Sequence, residues 1–70
     1  MDRTQVNSSN IASIGYDSHN HILEVEFHNG SIYHYLNVPA SIYDELMEAN
    51  SHGKYLNSMI KGTYQYQRVN

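Results

Sequence analysis

The stretch Leu23-Glu24-Val25-Glu26-Phe27-His28-Asn29-Gly30-Ser31-Ile32-Tyr33-His34-Tyr35-Leu36 decides how this chain folds. Leu23, Val25 and Phe27 alternate with Glu24, Glu26 and His28, the period of two that sends apolar side chains to one face of a strand. Asn29-Gly30 comes next, a strong short-range hairpin signal, and residues 31–38 read as the return strand. Two registers fit. A two-residue turn pairs 27 with 32, 25 with 34 and 23 with 36, which turns Ile32, His34 and Leu36 to the core. A three-residue turn with Gly30 left-handed pairs 27 with 31, 25 with 33 and 23 with 35, which turns Tyr33 and Tyr35 inward and leaves His34 in water. One residue of slip exchanges every side chain between faces. We favour the second register, because burying two tyrosines costs less than burying a histidine in mid-sheet, although the first keeps Ile32 and Leu36 inside.

On the N-terminal side, Ile11, Ile14 and Tyr16 form a strand-like run that ends at the turn cluster Asp17-Ser18-His19-Asn20. Residues 1–10 are polar, with Val6 the only apolar anchor after Met1, and read as a flexible arm. On the C-terminal side the period becomes helical after Val38-Pro39. Pro39 suits a first helical turn, Ser41-x-x-Asp44 has the capping-box pattern, and Ile42, Tyr43, Leu46, Met47 and Ala49 make the apolar face. Asn50 breaks this helix and Ser51 caps a second one. Its buried stripe reads as Tyr55, Leu56, Met59 and Ile60, with Gly62 as the stop. Tyr64-Gln65-Tyr66-Gln67 alternates as a short edge strand would. The expected fold is α+β: a three-stranded antiparallel β-sheet, β-β-β-α-α in order, with two helices packed on one face and the C-terminal edge strand as an option. The domain is expected over residues 11–66, between an arm at 1–10 and a tail at 67–70.

Composition narrows the function. Seventy residues make one small domain, with no cysteine for disulfides or thiolate metal sites. No apolar run spans or targets a membrane, so we expect a cytoplasmic protein with no membrane partner. The net charge is −3, but all seven acids lie in residues 1–50 with Arg3, while residues 51–70 carry Lys54, Lys61 and Arg68 and no acid. A net acidic chain is no generic nucleic-acid binder, and no DNA partner is expected, yet the basic last twenty residues offer a local anion site. Five histidines make this pH-dependent, since full protonation would carry the net charge to +2.

The segment Ser51-His52-Gly53-Lys54 is the first site candidate. A glycine in a first helical turn costs about 1 kcal/mol relative to alanine. Close approach of an anion to the helix N-terminus, with Lys54 as a point charge, is one reason for it; close packing against the sheet is the other. Lys54 and Lys61 lie seven residues apart on one helix face, with Asn57 or Ser58 between them. His19, His21, His28 and His34 do not reach a zinc ligand set with defined supporting groups, so no metal or other cofactor is expected. No nucleophile elbow is present, and Glu24 with Glu26 reads as a solvated face, so no catalytic residue is assigned. Tyr33-His34-Tyr35 and Tyr64-Gln65-Tyr66 each set two rings on one side of an extended segment. Exposed, they make a stacking platform for bases; buried, they are core; on a surface they also suit a homo-oligomer interface.

The ordered series Val6, Ser8-Ser9, Ile14 to Tyr16, Leu23-x-Val25-x-Phe27, Gly30, Tyr33-x-Tyr35, Val38-Pro39, Tyr43, Leu46, Ala49, Ser51-x-Gly53-x-Tyr55, Asn57, Ile60 and Tyr64 resembles the KTSC domain. That module is named for its place at the C-terminus of some lysyl-tRNA synthetases. The resemblance covers residues 6 to 66. It implies a domain that occurs alone or appended, for which RNA binding has been suggested, with no catalytic residues to transfer. His34 and His52 stand where similar sequences often carry Arg or Lys, which weakens the RNA reading here. The expectation is a non-enzymatic binding module that captures an anionic nucleotide-like ligand or a short single-stranded RNA, in the manner of a small sequestering protein such as a phage would encode. Ser51, Gly53, Lys54, Asn57 and Lys61 would serve the phosphate, and Tyr33, Tyr35, Tyr55 and Tyr64 the base. The alternative is a protein-interaction or homo-oligomerisation module with no nucleotide ligand.

Overall fold

The hairpin takes the bulged register: Leu23 pairs with Tyr35, Val25 with Tyr33 and Glu24 with His34. The Phe27 amide donates to Ser31 O and the Gly30 amide to Phe27 O, each at 2.9 Å, and Gly30 has φ +92, the left-handed conformation the tight turn needs. A computed structural model describes all 70 residues. In chain order the elements are β1 (Arg3–Gln5), β2 (Ile11–Asp17), β3 (Ile22–Phe27), β4 (Ile32–Tyr35), α1 (Ala40–Glu48), α2 (His52–Tyr55), a π-helical turn (Leu56–Ile60) that continues α2, and β5 (Tyr66–Arg68).

The α+β class is as expected, but the sheet is not three-stranded. Five antiparallel strands lie in the order β1-β2-β3-β4-β5. The added strands are β1 and β5, all of whose residues are exposed. Neither buries a face: β5 falls at Tyr66–Arg68, partly where the alternating tail offers an optional edge strand, while β1 lies in the polar arm, where no apolar alternation announces it. Backbone pairing holds them instead. β1 lies so close to β2 that a Cβ on Gly15 would come within 2.6 Å of the Asp2 carbonyl oxygen. β5 is secured beyond its own ends. Val69 N donates to Ile32 O at 2.9 Å. The Asn70 side chain accepts from Ile32 N at 2.9 Å and donates to Gly30 O at 2.6 Å.

The capping box does not form. The helix begins at Ala40, so Pro39 occupies the cap position with no side-chain bond, and its carbonyl accepts from Ile42 N at 3.0 Å; Ser41 is already inside the first turn. Ser51 does cap the second helix, accepting from Lys54 N at 3.2 Å. The π turn, closed by Lys61 N to Leu56 O at 2.8 Å, adds a residue to one helical repeat and rotates the chain beyond it. Leu56 and Ile60 are buried, but Met59, expected in the stripe, is 46% exposed.

Helix and sheet meet in a core of Ile11, Ile14, Leu23, Val25, Tyr35, Val38, Leu46, Leu56 and Ile60. Tyr16, Tyr43 and Tyr55 pack against this core half-buried. Tyr16 stacks on Tyr43 with centroids 4.9 Å apart and donates from Oη to Val38 O. The helices leave the β4–β5 end of their face of the sheet less covered: Tyr33 is half-buried and Tyr66 is exposed.

Candidate functional site

At that uncovered end four rings gather. Tyr33 and Tyr35 come from β4, Tyr66 from the β5 position paired with Tyr35, and Phe27 from the end of β3. Tyr66 lies 5.7 Å from Tyr33 and 5.8 Å from Tyr35 between centroids, and Phe27 meets Tyr33 edge-on at 5.7 Å. These rings, with Asn29 and Lys61, line a cleft of about 510 Å³. Lys61 leaves the end of the π turn with Nζ 5.6 Å from the Phe27 centroid, a cation–π contact that holds the ammonium at the cleft wall.

A second cleft, of about 390 Å³, adjoins the first and shares Phe27, Asn29 and Lys61 with it. Its remaining lining includes Asn10, His28, Gly53 and Asn57. A third, of about 370 Å³ and without apolar lining, shares Asn10, Gly53 and Asn57 with the second and adds Ser51 and Lys54. The three form one groove from the aromatic cluster to the start of α2. None of the seven acids lines any part of it, whereas Lys54, Lys61, His28 and His52 do.

Gly53 borders two of these clefts. A Cβ there would lie 3.6 Å from Asn10 Nδ2 and 4.0 Å from Ser8 Oγ, ordinary contact distances, and its φ is not left-handed. Neither packing nor backbone conformation asks for glycine, so the close-packing explanation for it fails; what the missing side chain leaves is open groove.

Of the residues singled out from the sequence, Gly53, Asn57, Lys61, Tyr33 and Tyr35 line the groove, with Ser51 and Lys54 at its polar end. Tyr55 and Tyr64 do not line these three clefts. Tyr55 Oη donates to Glu45 Oε1 at 3.0 Å and ties α2 to α1; burial, then Glu45, pushes its phenol up. Tyr64 borders a neighbouring depression with Leu36 and Gln65, which meets the aromatic cleft at Gly62 and Tyr66. Sequence reasoning missed Phe27, Asn29, Tyr66 and the Ser9-Asn10 loop. Tyr66 had a signal, its place in the alternating tail, but choosing it over Tyr64 requires the β4–β5 register.

The opposite face of the sheet is different in kind. Arg3 reaches Glu24 at 2.6 Å and Ser13 Oγ at 2.9 Å, Ser13 donates to Glu26 at 2.8 Å, and His34 Nε2 meets Glu24 Oε1 at 2.7 Å. The expectations of a solvated carboxylate pair and of His34 in water are thus corrected: both belong to a partly buried network. The other histidines are dispersed, with His28 Nε2 on Ser8 O and His52 Nδ1 on Leu46 O, each at 2.8 Å.

A small five-stranded α+β domain with a basic, aromatic-ended groove on its helix side is therefore the class of protein at hand. The chain belongs to the KTSC domain family, whose model matches residues 7–66. It superposes on the crystal structure of a KTSC domain protein from Yersinia pestis with a TM-score of 0.93 at 38% identity, covering 99% of this chain and 97% of that one. It is 41% identical over 70 residues to an uncharacterised protein of Stutzerimonas stutzeri, with 99% of each covered. It is also 39% identical over 54 residues to a lysine–tRNA ligase of Trichormus variabilis, where the match spans 77% of this chain and 10% of the ligase.

Proposed function

We propose that the groove captures a nucleotide-type anion, free or as part of a short single-stranded RNA, without chemical conversion. The planar base lies against Tyr33 and Tyr66, and the phosphate meets Lys61. The observation that carries this reading is the position of Lys61: it lines both the aromatic cleft and the cleft beside it, in a groove free of acids on a chain of net charge −3. Stacking on aromatic rings is tolerant of base identity and contributes about 1–3 kcal/mol per base, and a lysine supplies the point charge that a phosphate needs. A lysine–tRNA ligase that carries a similar domain is consistent with the RNA form of the ligand. The rival reading, docking of another chain, has the open edges of β1 and β5 to use, and each presents only three residues of strand; the groove is the better-supported site.

Calorimetric titration with AMP, UMP and a short single-stranded RNA tests the proposal. Lys61→Ala should weaken binding about tenfold, the scale of one hydrogen bond to a charged group, and should lower the salt dependence of the RNA complex. Binding that is unchanged in Lys61→Ala, or absent for all three ligands in the unaltered protein, contradicts it.

A further inference from the structure

Tyr35 is 2% exposed, the most buried of the rings that line the aromatic cleft. The structure gives its hydroxyl no hydrogen-bond partner: Tyr16 Oη has Val38 O and Tyr55 Oη has Glu45, but nothing in the protein engages Tyr35 Oη. No buried side-chain oxygen in the chain is both sealed from solvent and unpaired, so this hydroxyl keeps some exposure to solvent on a residue that lines the cleft. Burial, then the neighbouring Tyr33 and Tyr66, pushes its pKa up to about 12, so the group stays a neutral O–H. A phenylalanine would fill the same space, and packing gives no reason for the oxygen. In the free protein water can serve this hydroxyl, and a ligand that displaces that water has to replace its hydrogen bond.

We propose that the Tyr35 hydroxyl is the specificity-determining contact of the groove, hydrogen-bonding the polar edge of a nucleobase that lies against Tyr33 and Tyr66. This rests on the nucleotide reading above and adds to it which chemical feature is selected: a ring with hydrogen-bonding groups on its edge, as distinct from any flat ring on a sugar phosphate. Tyr33 and Tyr66 supply the sequence-tolerant stacking and Lys61 the charge. Tyr35 separates a base from an apolar ring of similar outline.

The test compares AMP and UMP with the C-nucleotide that carries a phenyl ring in place of the base, on the unaltered protein and on Tyr35→Phe, by calorimetry. The unaltered protein should prefer AMP and UMP about tenfold, the scale of one buried hydrogen bond left unmade. In Tyr35→Phe the preference should fall close to one, with a melting temperature equal to or above that of the unaltered protein. Equal preference in the two proteins overturns the inference while leaving the groove reading intact. So does the absence of any preference in the unaltered protein, an outcome that needs no variant to fold. Failure of all three ligands to bind overturns the inference, and the groove reading with it if the short single-stranded RNA does not bind either.

Discussion

Glu24 sits between Arg3 and His34 on the face of the sheet away from the helices, and its side chain is 12% exposed. Burial acts to raise its pKa, but the hydrogen bonds from His34 and Arg3 outweigh burial and hold the carboxyl below its ordinary 4.5. A depressed folded-state pKa contributes stability that is complete above the unfolded value and lost as pH falls through the folded one. Glu24→Gln should therefore flatten the fall in stability below about pH 4.5, measured by denaturant unfolding across the acid range; an unchanged acid limb would remove Glu24 from that role. The tyrosines divide at the same scale. Tyr16 and Tyr55 have hydroxyls committed to the fold, and only Tyr35 combines deep burial with an idle one.

The second helix shows what an element adds to its residues. A regular helix from Ser51 would put Tyr55, Leu56, Met59 and Ile60 on one stripe, as periodicity alone implies. The π turn changes the phase: Leu56 and Ile60 keep the core and Met59 goes outward, while Lys61 emerges over Phe27. Turns of this kind are frequent at functional sites. Leu56→Ala should lower stability by about 2–5 kcal/mol, and Met59→Gln should stay within about 0.5 kcal/mol of the unaltered protein, by chemical denaturation. Equal costs would mean that the helix keeps its regular phase. The hairpin at 23–36 is legible in the sequence because both signals, period and turn, act within the segment. Strand β1 is not, and β5 is so only as an optional edge strand in the alternating tail, because partners elsewhere in the chain decide both: Gly15 for the approach of β1, Asn70 and Ile32 for the seating of β5.

Across the whole molecule no carboxylate lines the groove. The carboxylates Glu24 and Glu26 lie in the Arg3 network on one side of the sheet, and the groove on the other side holds Lys54 and Lys61 without an acid. The basic run of the last twenty residues foreshadows this, and Gly53, Lys54, Asn57 and Lys61 of the named site residues reach the groove, while Tyr55 between them does not. What the chain order hides is that Phe27, Asn29 and Tyr66, drawn from the β3–β4 hairpin and the tail, complete the same surface; near neighbours Tyr64 and Tyr66 part company because only Tyr66 pairs with Tyr35. The central claim is that this groove takes a base and a phosphate together. Amide and aromatic chemical shifts recorded by NMR during titration with AMP and with a short single-stranded RNA test it most directly. The account predicts shifts that saturate at Phe27, Tyr33, Tyr35, Asn57, Lys61 and Tyr66 and leave Arg3, Glu24 and Glu26 in place. Shifts centred on the Arg3 face, or none at saturating ligand, would contradict it.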